Sequence, residues 1–286
     1  MKAIVLAGGK GTRLAPYTKI LPKPLMPIGD MPILEILLSQ IKRSGINEVV
    51  LTVGHLAELL RAFFQDGRRM DLRISYSYED SPLGTAGPLA LVDGLDETFL
   101  VSNGDVLTTL PFTSLIQFHQ RHEAAATIAM HQRNVRIDLG VIHCNGGQEV
   151  VGYVEKPTFD YTVSMGIYVF EPRVLSYIPR GQYLDFPDLV LKLINAKEKV
   201  VGFPFDGYWQ DLGRPDDYER SVEDFAKMRT QFLPEKIQQD SLLGSRPSLT
   251  SGNGGASVRE PPKAVRTSSG GTTKPNAGLL LSLRGS

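Results

Sequence analysis

From its second residue the chain alternates between two hydrophobic periods, and few architectures accept that pattern. Residues 2–7 are almost uniformly apolar, as a strand covered on both faces must be. Ile33, Ile36, Leu37 and Ile41 then share one helical face, with Asp30 as a cap ahead of it, Pro32 in the first turn and Gly45 at its end. Residues 48–53 read as a second buried strand. Leu56, Leu59, Leu60 and Phe63 make a second amphipathic helix, stopped by Gly67. Leu72, Ile74, Tyr76 and Tyr78 alternate with polar residues, as in a half-exposed strand; a short helix over 85–92 and an apolar strand over 98–102 follow. Strand and helix in strict alternation specify an α/β fold, a mostly parallel sheet flanked by helices. Such sheets bind ligands beyond the carboxyl ends of their strands. Functional residues are therefore expected just after Ala7, Val53, Tyr78 and Ser102.

Beyond about residue 110 the pattern turns β-rich, with strands expected at 124–130, 139–143, 148–155 and 163–170. Helices are expected at 185–196 and 215–229. This half extends the same sheet and adds a lid or substrate-binding lobe. Near residue 235 the composition shifts: Phe232 is the last aromatic residue and Glu260 the only acid after Asp240. A stretch rich in Ser, Gly, Thr and Pro buries too little apolar surface to offset its ordering entropy. The expected organisation is one folded domain over 1–235 and a low-complexity, flexible, disordered C-terminal tail over 236–286.

With 31 basic and 31 acidic side chains, the chain lacks the basic excess of a nucleic-acid binder or a polybasic membrane anchor. Its single cysteine, Cys144, excludes an internal disulfide and any multi-cysteine zinc site. No apolar run approaches the ~20 residues of a membrane span. The apolar start is too short for a secretory segment, and Lys10 and Arg13 stand where a cleavage site would lie, so a cytoplasmic location is expected. None of the five histidines has metal-ligand spacing; His55, after a strand end, is expected to be structural.

Strand one runs into Ala7-Gly8-Gly9-Lys10-Gly11-Thr12-Arg13-Leu14, whose glycines let backbone approach a ligand and whose N–H groups can cradle an anion. A dinucleotide fingerprint would carry glycine at Leu14 and open into a helix, which Pro16, Pro22, Pro24 and Pro27 forbid. The Gly-Lys-Ser/Thr of a Walker loop is missing too. What remains is a stiff loop that presents Arg13, Lys19 and Lys23 toward a polyphosphate, its prolines lowering the entropic cost of holding them there.

Seven separated strings extend this reading: L-A-G-G-K-G-T-R-L at 6–14, P-K-P-L at 22–25, P-L-G-T-A-G at 82–87, N-G-D at 103–105, E-K-P at 155–157, G-I-Y-V-F at 166–170 and W-Q-D-L-G-R-P at 209–215. Over roughly residues 1–230 the chain resembles the sugar-1-phosphate nucleotidylyltransferases, and its 82–88 loop is similar to that of the GDP-mannose pyrophosphorylases. The resemblance implies a Rossmann-like mixed sheet with a β-rich sugar-binding lobe. It also implies an enzyme that joins a sugar 1-phosphate to a nucleoside triphosphate and releases pyrophosphate, with Mg²⁺ as cofactor. Arg13 and Lys23 match the catalytic cations. Leu6, Ala7, Gly8, Gly9, Gly11, Thr12, Gly84 and Thr85 match the nucleotide site, and Asp105 and Asp211 the magnesium ligands. Gly140, Glu155, Lys156 and Ser164 match the sugar-phosphate site, although many relatives carry Asn where Ser164 stands.

Glu79 occupies the position where uridylyl and thymidylyl relatives usually present Gln. A carboxylate only accepts hydrogen bonds, which suits the N1–H and N2–H₂ donors of guanine and repels the O4 of uracil. GTP is therefore the expected nucleotide, with Glu79 as a solvated charge the competing reading. Mannose 1-phosphate or a heptose 1-phosphate leads among the sugars, ahead of glucose 1-phosphate. The alternatives are a dTDP-, UDP- or CDP-sugar pyrophosphorylase, or a catalytically silent homologue that binds a nucleotide-sugar. Neither nucleic acid nor a membrane is an expected partner, whereas apolar residues on the outer helices permit a homodimer.

Overall fold

A seven-stranded sheet forms the centre of the computed structural model, which describes residues 1–233. In chain order, β1 (Lys2–Leu6) leads through a proline-rich loop to the hairpin β2 (Pro27–Ile28) and β3 (Met31–Pro32), then α1 (Ile33–Arg43) and β4 (Glu48–Val53). Next come α2 (Ala57–Phe64), β5 (Arg73–Tyr78), β6 (Phe99–Asn103), β7 (Val106–Thr108) and α3 (Phe112–His122). The second half supplies β8 (Ala126–Arg136), β9 (Val141–Cys144), β10 (Val150–Val154) and β11 (Thr158–Phe170). It ends with α4 (Phe186–Asn195), β12 (Val200–Pro204), β13 (Trp209–Asp211) and α5 (Pro215–Phe232).

The sheet order is β12-β8-β11-β6-β1-β4-β5. Strands β6, β1, β4 and β5 run parallel, while β11 is antiparallel to both its neighbours. The fold is thus the mixed α/β sheet expected. Alternation along β1 builds both layers. Ala3 and Val5 pack with Leu34, Leu37 and Ile41 of α1 and Leu60 and Phe64 of α2. Ile4 faces the opposite layer, which contains Leu189 and Leu193 of α4. Each of these Val, Leu, Ile and Phe side chains, fully buried, gains about 1.5–3 kcal/mol over its exposed state. A smaller cluster seats α5 on the β2–β3 hairpin and the start of α1 through Ile28, Ile33, Phe225 and Phe232.

Several local expectations change. The N-cap of α1 is Pro32, not Asp30, whose carboxylate instead takes two hydrogen bonds from Arg229 of α5. The short helix expected at 85–92 is a 3₁₀ turn over Gly87–Leu91. Strands β8 and β11 outrun their expected bounds as a two-stranded ribbon, tied by Gln132–Thr162 and Asn134–Asp160 hydrogen bonds between side chains too polar to read as a buried strand. Helix α3 and strands β2, β3, β7, β12 and β13 form where no element is expected. The flexible tail expected for 236–286 lies outside the described residues. Among those described, no helix is long and apolar enough to cross a membrane.

Candidate active site

The loop after β1 crosses the carboxyl ends of the neighbouring strands, as the strand pattern predicts. Ala7 N–H donates to Thr52 O (2.8 Å), Gly104 N–H to Leu6 O (2.9 Å) and His55 N–H to Gly8 O (3.2 Å). So close a path needs glycine: a Cβ on Gly8 would sit 2.9 Å from Glu79 Oε1 and 3.2 Å from Gly54 N. Gly11 has φ +58, and a Cβ there would meet Thr18 Cγ2 at 2.9 Å. Thr18 is itself buried, and its hydroxyl donates to Gly11 O at 2.8 Å. His55 Nε2 lies 3.3 Å from Thr18 O, so this histidine both braces the loop and borders the cavity beside it.

Three 3₁₀ turns, at 12–14, 17–19 and 23–25, give the proline-rich segment its shape. The last of them buries Lys23, leaving 9% of that residue exposed. Its ammonium donates to Asp105 Oδ2 and lies 3.6 Å from Asp211 Oδ1. A buried lysine needs such partners, because an unpaired ammonium would lose its hydration without compensation. Asp105 sits between β6 and β7, and β13 pairs antiparallel with β7 in a register that sets Asp211 opposite Val106. That ladder brings together two carboxylates separated by about a hundred residues. Burial pushes the Asp211 carboxyl above its ordinary pKa and the Asp105 charge adds to the effect, while Lys23 and Arg13 oppose it. Arg13 reaches the same place: a Cβ on Gly213 would lie 3.2 Å from its Nη1.

A cavity of about 760 Å³ extends from these groups, bordered by the glycine loop, Arg13, Lys23, Asp105, Glu79, Gly84 and Thr85. Glu79 is half-buried there; burial raises its pKa, and the Leu83 N–H donating to Oε2 at 3.0 Å works against that rise. Leu6, Ala7, Gly8, Gly9 and Gly11 border the cavity as well, whereas Thr12 starts the first 3₁₀ turn and does not.

The residues matched to a sugar site are not drawn into this cavity. Glu155 Oε2 accepts from Tyr153 Oη at 3.2 Å, and the Tyr153 hydroxyl covers Gly140 so closely that a Cβ there would collide with it. Both Glu155 and Lys156 are exposed. Ser164 lies on β11, where its Oγ exchanges a hydrogen bond with Tyr168 Oη (3.0 Å) and accepts from Gly166 N–H (3.3 Å). Trp209 Nε1 donates to Met165 O at 3.0 Å and ties β13 to that strand.

Sequence reasoning missed Tyr183 and Asp185, which also border the cavity. Asp185 Oδ1 accepts from Thr85 N–H (2.9 Å) and Thr85 Oγ1 (3.1 Å), and Oδ2 accepts from Tyr183 Oη (2.7 Å). Nothing local marks this segment; only its contact with the 83–87 loop does.

Among the described residues, no three His, Cys, Asp or Glu side chains converge as metal ligands. The Asp105–Asp211 pair does fit a magnesium ion. That ion prefers one or two hard carboxylates and fills its other positions with water and phosphate oxygens.

Loop N–H groups, a buried lysine with Arg13 beside it and paired carboxylates, all at the carboxyl edge of an α/β sheet, make up a site suited to handling phosphates. Residues 2–228 match the nucleotidyl transferase family model, and the chain belongs to that family. It is 34% identical over 242 residues to a UTP–glucose-1-phosphate uridylyltransferase of Synechocystis sp., covering 78% of this chain and 62% of that protein. To a mannose-1-phosphate guanylyltransferase of Mycobacterium tuberculosis it is 36% identical over 235 residues, 79% of this chain and 64% of the relative. The chain thus spans less than two thirds of the length of these relatives. In fold it is similar to a Bacillus anthracis structure described as a candidate glucose-1-phosphate thymidylyltransferase, with TM-score 0.65 and 24% identity over 81% of this chain and 98% of that one.

Proposed function

We propose that the chain is a sugar-1-phosphate nucleotidylyltransferase, which uses GTP in preference to other triphosphates and requires Mg²⁺. The observation that carries the reading is the Lys23 ammonium held between Asp105 and Asp211 at the mouth of the glycine loop. The attacking group in this reaction is a phosphate oxygen, already anionic at neutral pH. No general base is required, and the barrier is repulsion between two anions plus charge developing on the leaving pyrophosphate. Positioning and positive charge lower such a barrier.

Arg13 and Lys23 take the role of the fixed cations, and the loop N–H groups donate hydrogen bonds to phosphate oxygens. Asp105 and Asp211 would hold magnesium, whose charge would offset that of the reacting phosphates. Leu6, Ala7, Gly8, Gly9, Gly11, Gly84 and Thr85 are assigned to the nucleotide site, together with Thr12 on the 3₁₀ turn that follows the loop. The half-buried carboxylate of Glu79, an acceptor when ionised, supports guanine over uracil or thymine. Glu155, Lys156, Gly140 and Ser164 are assigned to the sugar phosphate, the first three on a hairpin outside the cavity. A hexose such as mannose, or a heptose, is the favoured sugar.

Residues 1–235 are read as the catalytic domain, in a cytoplasmic protein. Exposed Leu191 and Ile194 on α4 support a homodimer. The test is a pyrophosphate-release screen of GTP, UTP, dTTP and CTP against mannose, heptose and glucose 1-phosphates, with Mg²⁺ and with excess EDTA. GTP is expected to lead and EDTA to abolish release. Full turnover in EDTA would remove the metal assignment, and faster UTP or dTTP turnover the base assignment.

A further inference from the structure

The cavity is electrically divided. Lys23, Arg13 and Asp105 line one part of it, with Asp211 against Lys23; Glu79 and Asp185 line the part where both accept from the 83–87 loop, beside Tyr183. A triphosphate belongs with the cations, which leaves the uncharged nucleoside at the carboxylate end. There Tyr183 is left 64% exposed, while its hydroxyl is pinned to Asp185 Oδ2 at 2.7 Å.

Its anchor is rigid. Asp185 takes both the N–H and the hydroxyl of Thr85, and Thr85 Oγ1 accepts from Phe186 N–H at 2.8 Å. Leu184 O accepts from Ala86 N–H (2.9 Å) and Gly87 N–H (3.0 Å). Gly84, at φ +78, lies so near that a Cβ would stand 2.6 Å from Leu184 O. An aromatic ring gains by burial, so one fastened at its hydroxyl beside an open cavity is held short of that gain. A flat ligand laid against it would supply the burial.

Resting on the nucleotidylyltransferase reading, we propose that Tyr183 is the stacking platform for the nucleobase, fixed in place by Asp185 and Thr85. Stacking accepts every base, because each presents a π-face. Tyr183 therefore sets affinity for nucleoside triphosphates in general, while Glu79 sets the choice among them.

The test compares full-length wild type, Tyr183→Ala and Tyr183→Phe. Calorimetric binding of GTP, UTP, dTTP and ATP is measured beside inorganic tripolyphosphate, which has no base. Tyr183→Ala is expected to weaken every nucleotide it binds by about tenfold or more and leave tripolyphosphate unchanged. Tyr183→Phe, which keeps the ring but loses its tie to Asp185, is expected to lose clearly less nucleotide affinity than Tyr183→Ala. Unchanged nucleotide binding in Tyr183→Ala overturns the proposal. So does an equal loss of tripolyphosphate, which would make the ring purely structural, or an equal loss in Tyr183→Phe, which would assign the effect to the hydroxyl. Wild type that binds no triphosphate overturns the activity reading and this one together; wild type that turns over beside an unaffected Tyr183→Ala overturns this one alone.

Discussion

Lys23 carries more of the site than any other single residue, because its charge is the only one in direct contact with both aspartates among the described residues. Removing it leaves two half-buried carboxylates facing each other and takes positive charge from the phosphate path. Lys23→Ala and Arg13→Ala are each expected to lower turnover by about 10³ or more with the fold retained. Circular dichroism beside a pyrophosphate-release assay checks this; a folded variant with near-parental turnover excludes that residue from the chemistry. Glu79 acts on selectivity instead. An amide can donate as well as accept, so Glu79→Gln is expected to shift the ratio of GTP to UTP turnover toward UTP by about tenfold or more. Should that ratio stay put, base choice is made elsewhere. At this scale the motifs were informative about Arg13, Lys23, Asp105 and Asp211. They were silent about Thr18 and Asp185, which brace glycine-bearing loops, the first only seven residues from its partner Gly11 and the second a hundred residues from Thr85.

Among the elements, α3 shows how a polar residue can hide a helix from a hydrophobic pattern. Phe112, Leu115, Ile116 and His119 follow helical spacing and are all buried, but the fourth is a histidine. His119 Nδ1 lies 2.8 Å from Thr127 Oγ1 and Nε2 3.0 Å from Glu171 Oε1, which satisfies the ring inside the core. Burial lowers the His119 pKa, and Glu171 only partly opposes it. Burial would raise Glu171, yet hydrogen bonds from Thr98 and His119, with the charges of His119 and Arg173, bring its pKa below the ordinary value. Both groups bind protons more readily in the unfolded chain. Stability is therefore full above the ordinary histidine value of 6.5 and declines as pH falls below it, with Glu171 adding a second loss below its ordinary 4.5. His119→Gln is expected to remove the upper step, so its Tm should hold between pH 7 and 5 while the parent's drops. Parallel Tm profiles would show that His119 does not drive the acid response. The three-residue strands β7 and β13 were illegible for another reason: at that length a ladder leaves no measurable period.

For the whole molecule, the sheet gathers distant segments at one edge. A chain ending at residue 235 is expected to keep the full chain's turnover, since the assigned cations, carboxylates and nucleotide loop all precede that point; a large loss of kcat/KM on shortening would reject the domain assignment. The sequence alone determined the α/β class, the two helical layers around β1 and the position of the phosphate loop, because hydrophobic period and glycine–proline chemistry are set by near neighbours along the chain. Only the tertiary structure decided that Lys23 lies between Asp105 and Asp211, that 183–185 laces onto 83–87 and that the 140–156 hairpin stands outside the cavity. Those facts depend on strand order and long-range register. Both follow from how two apolar layers pack as a whole, and no window of sequence contains that information.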